Sequence, residues 1–523
     1  MSKQLIKATS TVGSMTLISR ILGFIRDMVT AQLFGASAAY DAFLVAFKIP
    51  NFMRSLFAEG SFNQAFVPLL TEQQATASAA DTKEFIDKIA GCLGIVLFVI
   101  TVIGVIAAPL VIRLFAPGFA EDATRFDLAA DMLRITFPYL FFIALTALCS
   151  SILNTYSRFA VPAFTPVFLN ICMIASAILL APYCDEPIMA LAYGVLLGGI
   201  VQLGFQVPFL WRLKLLPFPR PDFADPRVRR LLKIMVPALL GVSVVQINLL
   251  MGTVFASFLP RGSLSWIYYA DHLMQFPLGV FGIALATVVL PHLSRGYATK
   301  AIEEYQHTLD WACRCVLLIS LPAAVGLFVL SGPLLVSLFQ YGAFLPEDVL
   351  KSQPVLMVLA VGLVAFIWVK IFASAFYARQ NLRTPVNVAV ISLVANIVLS
   401  YLLMQPFLHV GLAMAMSISA FINCTVLAGI LIHKKLWVIS LALLLFVARI
   451  MVACVAMAVG LLYFMPDLNW WFAAPWFMRV GFLSLLVIGG AVGYGLLLLL
   501  TGVRLRHILI PIPNITILSP TTP

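Results

Sequence analysis

The stretch SMTLISRILGFIRDMVTAQLFGASAAYDAFLVAFKIPNFMRSLFAEG, Ser14–Gly60, decides the fold. It is apolar enough for two membrane-crossing helices joined at Gly35-Ala36-Ser37, yet it carries Arg20, Arg26, Asp27, Asp41, Lys48, Arg54 and Glu59. A charge at the bilayer centre costs roughly 2.5–3.5 kcal/mol even on the mildest scale. Ionisable groups in this density call for a polar, wet interior, and we read them as the lining of a cavity that holds an anionic headgroup. Arginine suits phosphate because it stays charged and its planar fork binds two oxygens at once. On a helix each residue turns about 100°, so Arg20 and Asp27 share a face and Arg26 points about a third of a turn away. Asp41 and Lys48 are likewise seven apart and can pair. Arg54 and Glu59 lie beyond Pro50, where helical phase no longer fixes direction. The bland alternative is that these groups snorkel to the interface or tie helices together as ion pairs.

The rest of the chain agrees with a membrane setting. Of 523 residues, 62% are hydrophobic and 11% charged, against about 25% charged in ordinary soluble domains. The net charge of +11 is spread over short loops, which argues for an anionic leaflet and against nucleic acid as a partner. The cysteines sit mostly in apolar runs and form neither a disulfide framework nor a metal set. A ruler of about 20 apolar residues per crossing gives about fourteen spans in an all-α polytopic protein. Lys and Arg concentrate in the loops after even-numbered spans, so the positive-inside rule places those loops and both termini in the cytoplasm.

An internal repeat sets the organisation. PLVIRLFAPGF (109–119) resembles PLLVSLFQYGAF (333–344), and SSILNTYSRFAVPAFTPVFLN (150–170) resembles ASAFYARQNLRTPVNVAVI (373–391). Asp41 in AAYDAF likewise resembles Asp271 in YYADHL. A shift of six spans preserves orientation, so the halves are expected as two pseudo-symmetric six-helix lobes around a central cavity. The expected divisions are a first lobe over 1–215, a basic cytoplasmic linker over 216–231 and a second lobe over 232–436. Two further helices follow over 437–502, then a tail over 503–523. Arg227, Arg229, Arg230 and Lys233 are expected to anchor the linker to anionic lipid. GxxxG spacing at Gly194/Gly198 and Gly489/Gly493 predicts close helix packing.

In the second half, Ser263, Asp271, His272 and Gln275, with Ser265, Tyr268 and Tyr269, occupy the start of the eighth span as the opposite wall of the cavity. Lys370 and Arg449 are further intramembrane cations. No GxxxxGK[ST], HExxH, GxSxG or CxxC pattern occurs, so nucleotide hydrolysis through a P-loop and the common hydrolytic and zinc chemistries have no sequence support.

The stretches SMTLISRILGFIRD, AAYDAFLVAFKIPNFMRSLFAEGSFNQAFVP, SILNTYSRFAVPAFTP and SWIYYADHLMQFPLGVFGIALATVVLP resemble the MurJ (MviN) family of lipid II flippases. That family belongs to the multidrug/oligosaccharidyl-lipid/polysaccharide exporter superfamily. The resemblance implies a bacterial inner-membrane transporter, not an enzyme, that carries lipid II to the periplasmic face for peptidoglycan synthesis. It further implies a lipid-facing groove formed by the last two helices. The family's essential arginines match Arg20, Arg26 and Arg54, and its acidic positions match Asp27, Asp41 and Glu59. Where the family has Arg and Glu in the eighth span, this chain has His272 and Gln275. Lipid II and membrane lipids are the expected partners. No cofactor is expected, and the work of transport would come from the membrane potential or an ion gradient. An exporter of another polyprenyl-linked glycan, or of drugs, is the alternative within the same superfamily.

Overall fold

The computed structural model describes residues 3–55, 62–299 and 301–503, whose regular structure is helical, with no strand among them. The helices are α1 (Lys3–Phe34), α2 (Ala38–Arg54), α3 (Asn63–Thr76), α4 (Ala79–Ile106), α5 (Ala108–Phe115), α6 (Ala123–Thr136) and α7 (Tyr139–Thr155). There follow α8 (Ala160–Phe164), α9 (Pro166–Leu179), α10 (Met189–Arg212), α11 (Pro226–Ser257), α12 (Ser263–Pro277), α13 (Ile283–Ala298) and α14 (Ile302–Val329). The last are α15 (Ser331–Phe339), α16 (Pro346–Tyr377), α17 (Arg383–His433), α18 (Leu441–Phe464), α19 (Leu468–Ala473) and α20 (Trp476–Leu500). Nine helical stretches among the described residues are long and apolar enough to cross a bilayer. The 51-residue α17 holds two of the expected spans, parted at Leu408, where φ is 51° and ψ −130°. Pro406 just before that point removes a backbone donor and helps to set the break. Pro50, expected to break the second span, instead lies inside α2, which runs on to Arg54. At Pro277 α12 ends, and a π-helical turn, Leu278–Gly282, leads without a gap into α13.

Local chemistry sets the ends. Ser37, Ser78 and Ser440 cap α2, α4 and α18 by accepting from the amides of Tyr40, Asp81 and Leu443 at 3.1 Å, the usual remedy for orphan N–H groups. The repeat shows at the other ends. Helices α7, α10, α16 and α17 each close on a left-handed non-glycine residue: Ser157, Lys214, Gln380 and Lys435. In each case the next amide reaches back to a carbonyl five residues earlier, as in Arg158 N to Leu153 O at 2.8 Å and Asn381 N to Phe376 O at 3.1 Å, the Schellman arrangement. Similarly, α4 and α14 are both 28 residues long, and a short helix follows each directly.

The chain forms two compact units. The first comprises residues 1–269, 338–351 and 397–412, and the second 270–337, 352–396 and 413–523. In the first, α10 packs on α9 and α7, α2 on α6, and α1 on α9. Gly198 permits the α10–α9 approach, since a Cβ there would stand 2.7 Å from Leu169. The turn after α1 needs Gly35 for two reasons: its φ is +60°, and a Cβ would lie 2.3 Å from the carbonyl oxygen of Ala343. The amide of Ala343 donates to Gln32 O at 2.8 Å. In the second unit, α14 packs on α18, α13 and α20, and the Tyr494 hydroxyl donates to Leu318 O at 2.8 Å. Helix α20 meets α18 at Gly490, whose Cβ would lie 3.2 Å from Leu461. Gly489 and Gly493 have nothing within 4 Å of such an atom, so their GxxxG spacing is not a packing seam among the described residues. Leu444, Val452, Leu485 and Ile488 on these two helices are more than half exposed, as suits side chains solvated by acyl chains.

The segment after α10 is held against α4. Asp87 on α4 accepts from the Phe218 amide at 2.7 Å with its side chain and from the Arg220 amide at 3.1 Å with its carbonyl. Lys88 pairs with Glu84 at 2.8 Å and with Asp222 and Asp225 at 3.0 Å. Of the expected lipid anchors, Arg227 pairs with Asp225 at 2.8 Å and Arg230 with Glu72 at 3.0 Å, while Arg229 and Lys233 are exposed. Acids spaced along α3, α4 and the segment itself take up half of that charge. Partners bring Asp222 and Asp225 below the usual carboxylate range, Asp222 through the Lys88 ammonium first and Asp225 through the Arg227 guanidinium first. The same carboxylates, Glu84 foremost, hold the Lys88 ammonium above its ordinary range.

Candidate substrate-binding site

In the first unit, α1 carries Arg26 and Asp27 inward, where α9 and the start of α12 meet it. The Arg26 guanidinium forks over Asp27 Oδ1, from Nε at 3.0 Å and from Nη2 at 2.7 Å. Its other edge donates to Asn170 Oδ1 at 3.1 Å and to the Tyr268 hydroxyl at 3.1 Å. Tyr268 in turn donates to Asp27 Oδ1 at 3.0 Å, and Asn170 Nδ2 ties back to Ser19 O at 3.2 Å. Asp27 is 1% exposed. Behind it, Thr30 and Tyr40 share a hydrogen bond of 3.3 Å, and the Tyr40 ring stacks on Tyr269 with centroids 5.5 Å apart. A buried charge is tolerable only when paired and hydrogen-bonded, and this pair is both. Sequence-adjacent residues become partners because the long guanidinium swings across the third of a turn that separates them.

Asp41, at the start of α2, is also 1% exposed. Its carboxylate accepts from Gly262 N at 2.6 Å, Ser265 N at 2.9 Å and Ser265 Oγ at 2.6 Å. It therefore sits on the N-terminus of α12, where unpaired amides and the helix dipole favour an anion. This replaces the expected pairing with Lys48, whose side chain is half-buried further along α2. Ser263 is buried beside this contact.

Arg20 stands apart from the network. It is exposed, beside Leu17 and Ile21, which are each 50% exposed. Helical phase does put it on the face of Asp27, but about 10 Å nearer the N-terminus, beyond the cover that Tyr40 and Tyr268 provide. The shared face therefore brings no contact. Arg54 is half-buried at the end of α2 and its Nε donates to Asn51 Oδ1 at 2.9 Å. Both line a chamber of about 280 Å³ inside the unit, walled also by Tyr139, Thr165, Asn170 and Gln202. Asn170 thus connects the chamber with Arg26. Within the second unit, Gln275 donates to Asp271 on the next turn of α12, with His272 half-buried beside them. Glu59 lies outside the described residues.

The family model described as "Lipid II flippase MurJ" matches residues 30–482. This chain belongs to the MurJ family of lipid II flippases. A probable lipid II flippase MurJ of Haemophilus influenzae is 44% identical over 508 residues, 95% of this chain and 99% of that protein. A lipid II flippase MurJ of Burkholderia cenocepacia is 41% identical over 427 residues, 81% of this chain and 83% of that one. Among solved structures, a lipid II flippase MurJ in an inward closed conformation superposes with a TM-score of 0.79 at 27% identity, covering 93% of this chain and 97% of that one. A multidrug resistance MATE family transporter of the MOP superfamily, in its inward-facing conformation, has a TM-score of 0.68 at 15% identity, over 82% and 98%, and shares the fold alone. The chain is therefore a multi-pass membrane protein of a transporter family.

Membership in the flippase family gives the polar residues of the first unit a context that the charges alone did not. Reading from the charges missed Asn170, Asn51, Thr165, Gln202 and Gln206. Gln206 donates to Ser150 Oγ at 2.8 Å and Thr165 Oγ1 at 2.9 Å, and Gln202 donates to Thr165 O at 3.2 Å. Their signal is in the sequence: carboxamides at Asn170, Gln202 and Gln206 interrupt apolar runs, and a polar group in hydrocarbon needs a partner as a charge does.

Proposed function

We propose that this protein moves lipid II from the cytoplasmic to the periplasmic leaflet of a bacterial inner membrane by alternating access, supplying peptidoglycan synthesis. The observation that carries the reading is the guanidinium of Arg26, held in a protein-buried polar network that reaches, through Asn170, the chamber lined by Arg54. Such a constellation suits phosphate oxygens flanked by uncharged polar groups. Arg20 and Lys48 on the first unit belong to the same substrate path, and both termini face the cytoplasm. The polyprenyl tail stays in lipid, against the apolar faces of α18 and α20. The membrane potential or an ion gradient drives the cycle, since 100 mV is worth about 2.3 kcal/mol per charge moved. In a flippase-depleted bacterium, Arg26→Ala and Arg54→Ala are expected to abolish rescue at unchanged protein level, with lipid II confined to the inner leaflet in a face-specific labelling assay. Normal rescue by both variants would overturn the reading.

A further inference from the structure

The chamber inside the first unit has a chemistry of its own. Arg54 is the one ionised group among the described residues that line it, and no carboxylate does. That lining does not suit a metal ion or a cationic drug. The remaining polar lining is neutral: carboxamides of Asn51, Asn170 and Gln202, and hydroxyls of Ser150 and Thr165. Pro162, Pro166 and Leu169 add apolar patches, and an amphipathic ring needs both kinds of surface. Gln202 is 2% exposed and spends its Nε2 on Thr165 O, while its Oε1 has no hydrogen-bond partner among the described residues. A buried acceptor left unmade is costly, and native structures seldom leave one without a purpose. The volume of about 280 Å³ stands at the bottom of the roughly 300–1,000 Å³ range of small-molecule sites. It admits one ring and excludes a whole disaccharide-peptide.

Resting on the flippase reading, we propose that this chamber is a sugar-recognising subsite. It takes one acetamido- or hydroxyl-bearing hexose of the lipid-linked substrate, with Gln202 Oε1 accepting from a sugar N–H or O–H. The diphosphate stays outside, between Arg54 and Arg26. Gln202 is then a specificity-determining residue, whereas the guanidiniums bind any polyprenyl diphosphate.

The test compares two ligands on the full-length protein in nanodiscs: lipid II, and undecaprenyl pyrophosphate, which lacks the sugars. Gln202→Leu should weaken lipid II about five- to tenfold, the worth of one neutral hydrogen bond, and leave undecaprenyl pyrophosphate within twofold. If that variant does not fold, Ala147→Phe decides, because it fills the chamber from α7 without touching Gln202 chemistry; it should show the same selective loss. Equal loss for both ligands, or unchanged lipid II affinity because the chamber holds only water, overturns the subsite. Failure of the unmodified protein to bind either lipid would instead overturn the flippase reading itself.

Discussion

Replacing Asp41 with Asn preserves shape and removes charge. The carboxylate now serves three donors, two backbone amides and one hydroxyl, at 2.6–2.9 Å from a position 1% exposed. An Asn can keep its oxygen on Ser265, but its amino group then faces the Gly262 amide, donor against donor. One hydrogen bond to a charged group is lost, worth about 1.5–3 kcal/mol, and one buried N–H is left unpaired at about 1–3 kcal/mol. The low end, about 2.5 kcal/mol, is a factor of roughly 70 in the opening equilibrium of the turn before α12. Hydrogen exchange at the Gly262 and Ser265 amides reads that equilibrium. Their protection is expected to fall at least 30-fold, whereas amides in the middle of α18 keep theirs. Protection changed by less than threefold would refute the claim that Asp41 holds this helix N-terminus.

The linker clip should be insensitive to pH across the physiological range. Asp225 is depressed by its partners, so its contribution is present above the ordinary carboxylate pKa and disappears only as pH falls through the lowered value. Lys88 is raised, so its contribution is present below the ordinary lysine pKa and disappears only as pH rises through the raised one. Protection of the Arg227 amide, which donates to Asp225 Oδ1 at 2.7 Å, should stay flat from about pH 5 to 9 after correction for chemical exchange; a midpoint inside that window contradicts the assignment. Gly35→Ala combines a φ of +60° with a Cβ 2.3 Å from the Ala343 carbonyl oxygen, and should lower thermal stability by about 2 kcal/mol or more. Gly493→Ala, with open space around it, should change stability by less than about 0.5 kcal/mol. Equal effects of the two on the melting temperature would show that the Gly35 contact does not matter.

The sequence by itself determined that the chain crosses a membrane many times, that its halves repeat, and where its costly residues lie. These are one-dimensional facts: apolar run length, charge in loops and motif order are all written along the chain. The same logic located Arg26, Asp27, Asp41 and Arg54, because a charge in an apolar run always demands a compensating structure. Only the tertiary structure decided who compensates whom. Helical phase suggested Arg20 with Asp27 and Asp41 with Lys48, yet Asp27 takes its neighbour Arg26 and Tyr268, and Asp41 takes the first amides of α12. Tyr268 and the amides of α12 lie more than 200 residues away in sequence, so no local spacing can point to them. The chamber was invisible for a related reason. Carboxamides carry no charge to flag them, and a cavity exists only once the helices that wall it have packed.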